Sequence, residues 1–277
     1  MDPPGAAAEP LVSIVTPSLN QGRFLEQTIR SVREQDYPRI EHLVADGGST
    51  DGTLELLARQ PGVTWWSGPD SGQSEALNEA LRRSSGSIVG WLNADDAYLP
   101  GAVSAAVEAL AAYPRAGLVY GDWVVVGEDG EELWRVEATD FDLEYALNVR
   151  NVVPQPSTFI RRAVLDELGF LDPDLHYAMD YDLWLRIARA GYELVHVPAY
   201  WAAFRSHPSS KTHASADRFW REERAVMRRH GGRWLSPAFV ARHAVLHRLH
   251  GLVPPGVRRA VRDRAKRRKA RRSGTGP

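Results

Sequence analysis

Four strand–helix units follow one another in the first 116 residues, and this alternation constrains the fold more than any other feature of the sequence. In each unit, a short apolar run precedes a segment whose apolar residues recur with the period of an amphipathic helix. Such a pattern predicts an α/β fold with a mixed, mainly parallel sheet flanked by helices. The predicted strands are residues 11–17, 40–46, 63–67 and 87–93, and the helices after them cover about 25–32, 53–59, 72–83 and 103–110.

Polar loops follow all four predicted strands, at residues 17–22, 46–52, 68–73 and 93–96. Turns and helix caps explain part of this composition, and Asp51 and Ser71 are candidates for caps. Each loop nevertheless brings carboxylates or amides to the carboxyl end of its strand. Because the carboxyl ends of parallel strands meet at one rim of the sheet, where ligands bind in such folds, the loops predict a ligand site.

The fourth loop predicts a metal, since Asp95 and Asp96 follow directly on the apolar run 88–92. Two adjacent carboxylates repel each other in a partly buried site unless a cation neutralises them. The chain contains no cysteine, so a metal must bind to carboxylates, histidine or phosphate oxygens. Mn²⁺ or Mg²⁺ suits that set of ligands.

The second half of the chain lacks the regular alternation, and its strands are expected to extend the sheet in mixed directions. A β-hairpin is predicted at 118–126 and 132–136, further strands at 154–160 and 193–197, and helices at 180–190, 217–230 and 237–250. The expected organisation is a flexible leader (1–10), a main domain (11–213) with halves at 11–116 and 117–213, a C-terminal helical extension (214–257) and a basic, disordered tail (258–277).

The net charge of -1 conceals an asymmetry, because residues 258–272 contain ten Lys or Arg and one Asp. Such a block is typical of a solvated tail, and contact with an anionic membrane is the functional alternative. No nucleic-acid motif accompanies the charge, so nucleic-acid binding is not expected. Apolar runs fall short of the roughly 18 residues that span a bilayer, and residues 1–10 do not resemble a signal peptide. We therefore expect a cytoplasmic protein, with peripheral contact at the inner face of the plasma membrane as the alternative.

A known family shares an ordered set of motifs with this chain. The motifs are residues 12–20, 44–53, Asn78, 90–96, 180–186 and 204–208. On these motifs, residues 11–213 resemble the family-2 glycosyltransferases, which have the Rossmann-like GT-A fold. The resemblance implies an inverting transferase that moves a sugar from a nucleotide-diphosphate donor, with a UDP-sugar favoured, to a hydroxyl of a glycan or lipid-linked acceptor. It also implies a nucleotide-binding half at 11–116, an acceptor half at 117–213, and a setting in cell-surface polysaccharide or glycolipid synthesis.

The resemblance assigns the polar loops to the nucleotide and the metal. Asp46 would accept a hydrogen bond from a ring N–H of the base, and Asp95, Asp96 and His207 would bind the metal. The family's acidic motif begins with aspartate where this chain has Asn93, whose amide carries no negative charge, so we expect reduced metal affinity. Many relatives also have a second aspartate where Gly47 stands here. The implied nucleotide-binding residues are Pro17, Ser18, Asn20, Asp46, Asn93, Ala94 and Asp95.

Asp180 matches the aspartate of the family's Glu-Asp motif, and Met179 takes the place of the glutamate. An ionised carboxylate can accept the proton of an attacking hydroxyl, and the start of a helix favours the ionised form. The local sequence explains Asp180 equally well as a helix cap, whereas the resemblance favours a catalytic base. Further candidate contacts with sugar, acceptor or phosphate are Gln73, Gln155, Asp182, Trp184 and Arg205.

Two other functions remain open. A sugar nucleotidyltransferase shares a similar fold, but its glycine-rich, basic loop is not matched by residues 18–23, which contain one glycine and one arginine. A catalytically inactive, membrane-associated scaffold that binds nucleotide-sugars agrees with Asn93 and Met179. A dinucleotide-dependent oxidoreductase is disfavoured, because no Gly-x-Gly-x-x-Gly motif follows the first strand.

Overall fold

The computed structural model of the protein describes residues 9–208, 210, 211 and 216–233. Apart from Arg233, these residues belong to the unit that ends at Gly232. The strands are β1 (Val12–Ser18), β2 (Ile40–Asp46), β3 (Val63–Ser67), β4 (Ile88–Trp91), β5 (Ala97–Tyr98), β6 (Ala116–Val126), β7 (Glu132–Val136), β8 (Thr158–Arg161) and β9 (Glu193–Arg205). The helices are α1 (Gly22–Arg33), α2 (Thr53–Leu57), α3 (Gln73–Arg83), α4 (Ala102–Ala112), α5 (Leu143–Asn148), α6 (Arg162–Leu168), α7 (Met179–Arg189) and α8 (Ala216–Arg229), with a 3-10 turn at Gln155–Ser157.

One mixed sheet organises these elements in the order β3-β2-β1-β4-β8-β6-β9-β5, with β7 beside β6. The first four strands are parallel to their neighbours among themselves, as the alternation predicts. Strand β8 is antiparallel to β4 and β6, whereas β6 and β9 are parallel. The α/β prediction is confirmed, and the loops after β1, β2, β3 and β4 emerge at the same rim of the sheet.

The second half departs from its prediction in three places. Residues 154–160 do not form one strand, because Pro154 and Pro156 belong to the 3-10 turn and its N-cap, and β8 begins only at Thr158. The strand predicted at 193–197 continues to Arg205 and forms one long strand, β9, with register shifts against β6. Helices α5 and α6 are missed because six and seven residues are too few to show a period, and β5, in the first half, is missed for the same reason with two residues.

Other parts of the second half agree with the sequence. The predicted hairpin is the antiparallel pair β6 and β7. Helices α7 and α8 begin one residue before their predicted starts. The predicted helix at 237–250, leader residues 1–8 and the basic tail at 258–277 lie outside the described residues. The division into domains stays a prediction.

The hydrophobic core lies around the central strands. Every residue of β1 is buried, which is typical of a parallel strand covered on both faces of its sheet. Val12, Ile14 and Phe159 pack in one cluster with α4 residues such as Ala106 and Leu110. Across the described part of the chain, we find no helix with the length and hydropathy of a membrane span.

Helix α3 holds the segment that leads into α7. Asn78 makes two hydrogen bonds with the backbone of Leu171: its Nδ2 donates to the carbonyl at 2.8 Å, and its Oδ1 accepts from the amide at 2.9 Å. One turn earlier, Ser74 Oγ donates to the carbonyl of Leu175 at 2.6 Å. Asn78 is 9% exposed, so water does not readily replace its bonds. The Asn78 motif of the sequence is therefore a structural bracket.

Replacing Asn78 with alanine should destabilise the fold strongly. The substitution leaves the buried N–H and C=O of Leu171 without partners, which costs roughly 1–3 kcal/mol for each group. Urea unfolding should therefore show a loss of about 2–4 kcal/mol in the free energy of unfolding. Asn148→Ala is the matched control, because Asn148 Nδ2 donates to Glu144 within the same helix. Equal stability of the two variants would contradict the bracket.

Candidate functional site

A cavity of about 1160 Å³ opens at the rim where the polar loops meet. It is lined from the first half by the loops after β1, β3 and β4, and from the second half by the 3-10 turn, α7 and α8. The predicted site residues that line it are Pro17, Ser18, Gln73, Asn93, Ala94, Asp95, Gln155 and Asp180. Those that do not line it are Asn20, Asp46, Asp96, Asp182, Trp184, Arg205 and His207.

Asn93 is the hydrogen-bond centre of the cavity wall. Its Oδ1 accepts from Gln73 Nε2 and from Trp91 Nε1, each at 2.9 Å. Its Nδ2 donates to Gln155 Oε1 at 2.8 Å and to Asp96 Oδ2 at 3.3 Å. An amide has two donors and two acceptor sites, and all four are used. An aspartate here would face two acceptor oxygens with no hydrogen to give, so the departure from the family's acidic residue has a structural reason.

Residues 93–96, here called the acidic turn, contain two carboxylates with different environments. Asp95 lines the cavity, and its Oδ2 lies 3.0 Å from His207 Nε2. Asp96 is 2% exposed, and its Oδ1 accepts from the backbone N–H of Arg205 at 3.0 Å. Burial, and next the charge of Asp95, raise the pKa of Asp96 above its usual range. Of this pair, Asp95 is the carboxylate that a ligand in the cavity can reach.

Arg205 holds the acidic turn instead of projecting into the cavity. Its guanidinium donates to the carbonyls of Asp95 at 3.0 Å, Gly127 at 3.1 Å and Glu128 at 2.9 Å. It also donates to Gln27 Oε1 at 2.6 Å. The residue is 3% exposed, so the structure places it as a clamp between β9, α1 and the turn after β4, not as the phosphate contact expected from the sequence.

Asp46 and Asn20 fix the first two loops. Oδ2 of Asp46 accepts from the N–H of Gly48 at 3.0 Å and of Ser49 at 2.9 Å, and from Ser67 Oγ at 2.6 Å. Asn20 bridges the loops, since its N–H donates to Ser49 Oγ and its Oδ1 accepts from Thr50 N–H. Asp46 is 3% exposed, so in this conformation its carboxylate serves its own loop rather than the base expected from the resemblance.

Asp70 occupies the space that the side chain missing at Gly47 would take. A Cβ built on Gly47 would lie 2.7 Å from Asp70 Oδ2, so any side chain at position 47 would require the Asp70 carboxylate to move. Asp70 lines the cavity, and burial raises the pKa of its carboxyl group. The carboxylate absent from the β2 loop is thus matched by one from the β3 loop. The sequence indicates the loop at 68–73 but not Asp70 in particular, because only the fold shows that the loops after β2 and β3 touch.

Ser18 brings a buried hydroxyl to the cavity. It is 4% exposed, and within the described residues its Oγ has no hydrogen-bond partner. Buried polar atoms are nearly always paired, so an unpaired hydroxyl in a cavity wall indicates a ligand position.

Asp180 enters the cavity from the first turn of α7. Its Oδ2 accepts a long hydrogen bond of 3.4 Å from Asn151 Nδ2. Burial raises the pKa of Asp180 to about 6, although the backbone N–H groups of Tyr181 and of Asp180 itself oppose the shift. The helix start expected to favour ionisation is therefore outweighed by desolvation, and the carboxyl group of Asp180 still loses its proton below neutral pH.

Asp182 and Trp184 lie away from the cavity, in contrast to their selection as sugar or acceptor contacts. Asp182 is 2% exposed and accepts from Arg186 Nε and lies 2.8 Å from His230 Nε2, so it joins α7 to the end of α8. Trp184 is fully buried in the core. Both residues project from faces of α7 that pack against protein, which a helical period alone did not reveal.

Lys211 and Glu222 are among the charged cavity residues that were also missed as site residues. Lys211 Nζ donates to Gln73 Oε1 at 3.0 Å and lies over the ring of Tyr177. Burial lowers the pKa of Lys211, and the nearby Glu222 and Asp180 oppose that shift. Glu222 reaches the cavity from α8, and nothing in the local sequence of that helix distinguishes it from its neighbour Glu223.

The donor atoms at the acidic turn suit a divalent cation that a ligand also coordinates. The described residues contain no cluster of three or more His, Asp or Glu side chains with metal-site geometry. Asp95 Oδ2 and His207 Nε2 form a neighbouring pair of one oxygen and one nitrogen. Mn²⁺ accepts both atom types, and the oxygens of a diphosphate and water can complete its coordination.

Two solved structures share this fold. The mannosyltransferase PcManGT from Pyrobaculum calidifontis, solved with GDP-Man and Mn²⁺, has a TM-score of 0.64 at 22% identity, with 93% of this chain and 80% of that chain covered. S. aureus TarS has a TM-score of 0.63 at 18% identity, with 87% of this chain and 74% of that chain covered.

The sequence comparisons identify the family. An uncharacterised glycosyltransferase of Mycobacterium tuberculosis is 35% identical over 186 residues, which cover 65% of this chain and 69% of the relative. The putative teichuronic acid biosynthesis glycosyltransferase TuaG of Bacillus subtilis is 26% identical over 231 residues, covering 80% and 90%. The profile of glycosyl transferase family 2 matches residues 13–171, more than half of the chain. This protein therefore belongs to glycosyl transferase family 2.

Proposed function

We propose that this glycosyltransferase moves a sugar from a UDP-sugar to a hydroxyl acceptor with inversion at the anomeric carbon, and that a divalent metal assists. The observation that carries the proposal is one cavity with Asp95 at the acidic turn on one side and the partly buried carboxylate of Asp180 on the other. Asp95 can bind a metal that holds the diphosphate, and Asp180 can accept the proton of the attacking hydroxyl. TarS, whose fold is similar, has been solved with UDP-GlcNAc, which supports the choice of uridine.

The base and ribose fit the part of the cavity between the loops after β1 and β3. Ser18 offers a buried hydroxyl there, and Pro17 offers an apolar edge. Asp70 is better placed than Asp46 to accept from the imide N–H of uracil, because Asp70 lines the cavity and Asp46 already accepts from its own loop. We therefore assign recognition of the uracil base to Asp70.

A metal would be held by Asp95 and His207. Mn²⁺ or Mg²⁺ supplies positive charge that stabilises the diphosphate as it leaves. Asp96 would not bind the metal itself. It accepts hydrogen bonds from Arg205 N–H and Asn93 Nδ2, and these bonds fix the turn that presents Asp95. Lys211 adds a cation on the same cavity.

Titration calorimetry should show UDP binding that Mn²⁺ strengthens. Asp95→Asn should remove most of the Mn²⁺-dependent gain, whereas Asp70→Asn should weaken UDP roughly 10- to 100-fold with or without metal, the loss expected for a hydrogen bond to a charged acceptor. Asp166→Asn, an exposed carboxylate on α6, is the control. UDP affinity that is the same in Mn²⁺ and in EDTA would exclude the metal site, and equal affinity for UDP and AMP would exclude the base assignment.

Asp180 would act as the general base. Its carboxylate accepts the proton of the acceptor hydroxyl while that oxygen forms a bond to the anomeric carbon, and the bond from that carbon to the diphosphate oxygen breaks. One displacement of this kind inverts the anomeric centre. The pKa of about 6 leaves Asp180 mostly ionised at neutral pH and makes it a stronger base than an ordinary aspartate.

Turnover should fall below pH 6 because the base must be deprotonated. With the pKa of Asp180 raised to about 6, kcat/KM should lose about tenfold for each pH unit below that value, whereas an aspartate with the usual pKa would stay active to near pH 4. Asp180→Asn should lower kcat by about 10²- to 10⁴-fold and leave UDP affinity within about threefold. Near-normal turnover of this variant would remove Asp180 from the mechanism.

Cell-surface polysaccharide synthesis is the setting we propose. TuaG is named for teichuronic acid biosynthesis, and it aligns with 80% of this chain. Membership of family 2 favours a transferase over a sugar nucleotidyltransferase. An inactive scaffold would bind UDP yet show no turnover with any nucleotide-sugar, so the experiments above also test that alternative. Glycan or lipid-linked acceptors, and contact of the basic tail with an anionic membrane, remain predictions.

A further inference from the structure

The amino end of α7 has an unusual partner. One carboxylate oxygen, Glu222 Oε1 on α8, accepts hydrogen bonds from three successive backbone N–H groups: His176 at 2.9 Å, Tyr177 at 2.5 Å and Ala178 at 2.7 Å. Ala178 is the N-cap of α7 and cannot cap the helix with its own side chain. The Glu222 carboxylate therefore does from another helix what a Ser, Asp or Asn cap does locally.

This contact of Glu222 with residues 176–178, here called the clamp, lies directly before Asp180. Ala178 is two residues from Asp180, and His176, Tyr177, Asp180 and Glu222 all line the same cavity. A carboxylate at the start of a helix is also stabilised by the helix dipole, so the dipole adds to the three hydrogen bonds that hold Glu222 in place. The loop that leads into α7 cannot rotate without breaking these bonds.

Further contacts fix α8 against α7. His230 Nε2 lies 2.8 Å from Asp182 Oδ1, and Arg189 donates to the carbonyl of His230 at 2.8 Å. His230 follows directly on the C-terminal end of α8, while Glu222 is near the middle of the helix. Helix α8 and His230 thus contact α7 at its amino end, in its first turn and in its last turn, so the orientation of α8 affects that of Asp180.

We propose that Glu222 is a positioning residue for Asp180, whose carboxylate clamps residues 176–178 and so fixes the direction in which Asp180 enters the cavity. The inference rests on the proposed function only in giving Asp180 its catalytic role. The clamp itself is a property of the fold, and neither α7 nor α8 falls within residues 13–171 that match the family profile.

The charge of Glu222 also acts on Asp180. Burial is the largest cause of the raised pKa of Asp180; the charge of Glu222 raises that pKa further, and Lys211 opposes it. Asn151 donates a hydrogen bond to the Asp180 carboxylate. Helix α8 also brings Arg218 and Arg221 to the cavity, and the loop at 176–178 brings the titratable His176. Removal of the Glu222 charge should therefore lower the pH at which Asp180 titrates, an effect that a purely structural residue would not have.

Hydrogen exchange and carboxyl NMR test the clamp without a substrate. In the full-length protein, Glu222→Ala should speed exchange of the amides at 176–178 by tenfold or more. Glu222→Gln keeps an acceptor oxygen, so its exchange should stay within about threefold of the wild type while the titration midpoint of Asp180 falls. Glu26→Gln, an exposed carboxylate on α1, should change neither quantity.

The outcomes separate the clamp from the proposed reaction. Unchanged exchange at 176–178 in Glu222→Ala, or an unchanged Asp180 midpoint in Glu222→Gln, would overturn the inference. If Glu222→Ala is too unstable to measure, the Glu222→Gln midpoint alone decides. Near-normal turnover of Asp180→Asn would remove the catalytic role of Asp180 but leave the exchange prediction standing, so the two failures are distinguishable. Once a donor is in hand, Glu222→Ala should lower kcat tenfold or more with little change in donor KM.

Discussion

The candidate site depends on one hydrogen-bonded amide. Asn93 ends the β4 segment and uses both of its donors and both of its acceptor sites, joining α3 through Gln73, the 3-10 turn through Gln155, and the acidic turn through Asp96. Gln73 in turn accepts from Lys211, so the network reaches across the cavity wall. These bonds connect the half of the chain that carries the polar loops with the half that carries Asp180.

The acidic turn is rigid because protein, rather than solvent, holds most of it. Thr28 Oγ1 on α1 donates to the carbonyls of Ala94 at 2.9 Å and Asp96 at 2.6 Å. Arg205 on β9 donates to the carbonyl of Asp95 from the other side. With its backbone fixed in this way, the turn presents one of its two carboxylates, that of Asp95, to the cavity. The two adjacent carboxylates therefore have different roles: that of Asp96 supports the turn, and that of Asp95 is accessible to a ligand in the cavity.

The sequence predicted the fold of the first half because its signal is local and regular. Strands β2 and β3 have the predicted bounds, since each apolar run is enclosed by turn residues. The site was predicted only in part, because a residue type does not show its direction. Arg205, Asp182 and Trp184 lie within four residues of cavity-lining residues in the sequence, yet their side chains are buried in contacts with protein. Glu222 and Asp70 reach the cavity through contacts distant in sequence, which no local pattern reveals.

The direct test of this account is the substitution that would restore the acidic residue typical of the family. If Asn93 is a hydrogen-bond centre, Asn93→Asp removes two donated bonds, sets a third carboxylate beside Asp96, and distorts the turn that presents Asp95. Calorimetry should then show that this variant binds UDP with Mn²⁺ roughly tenfold or more weakly than the wild type, as expected for the loss of two hydrogen bonds. Tighter binding of UDP with Mn²⁺ would show that position 93 is a metal ligand and would contradict the account.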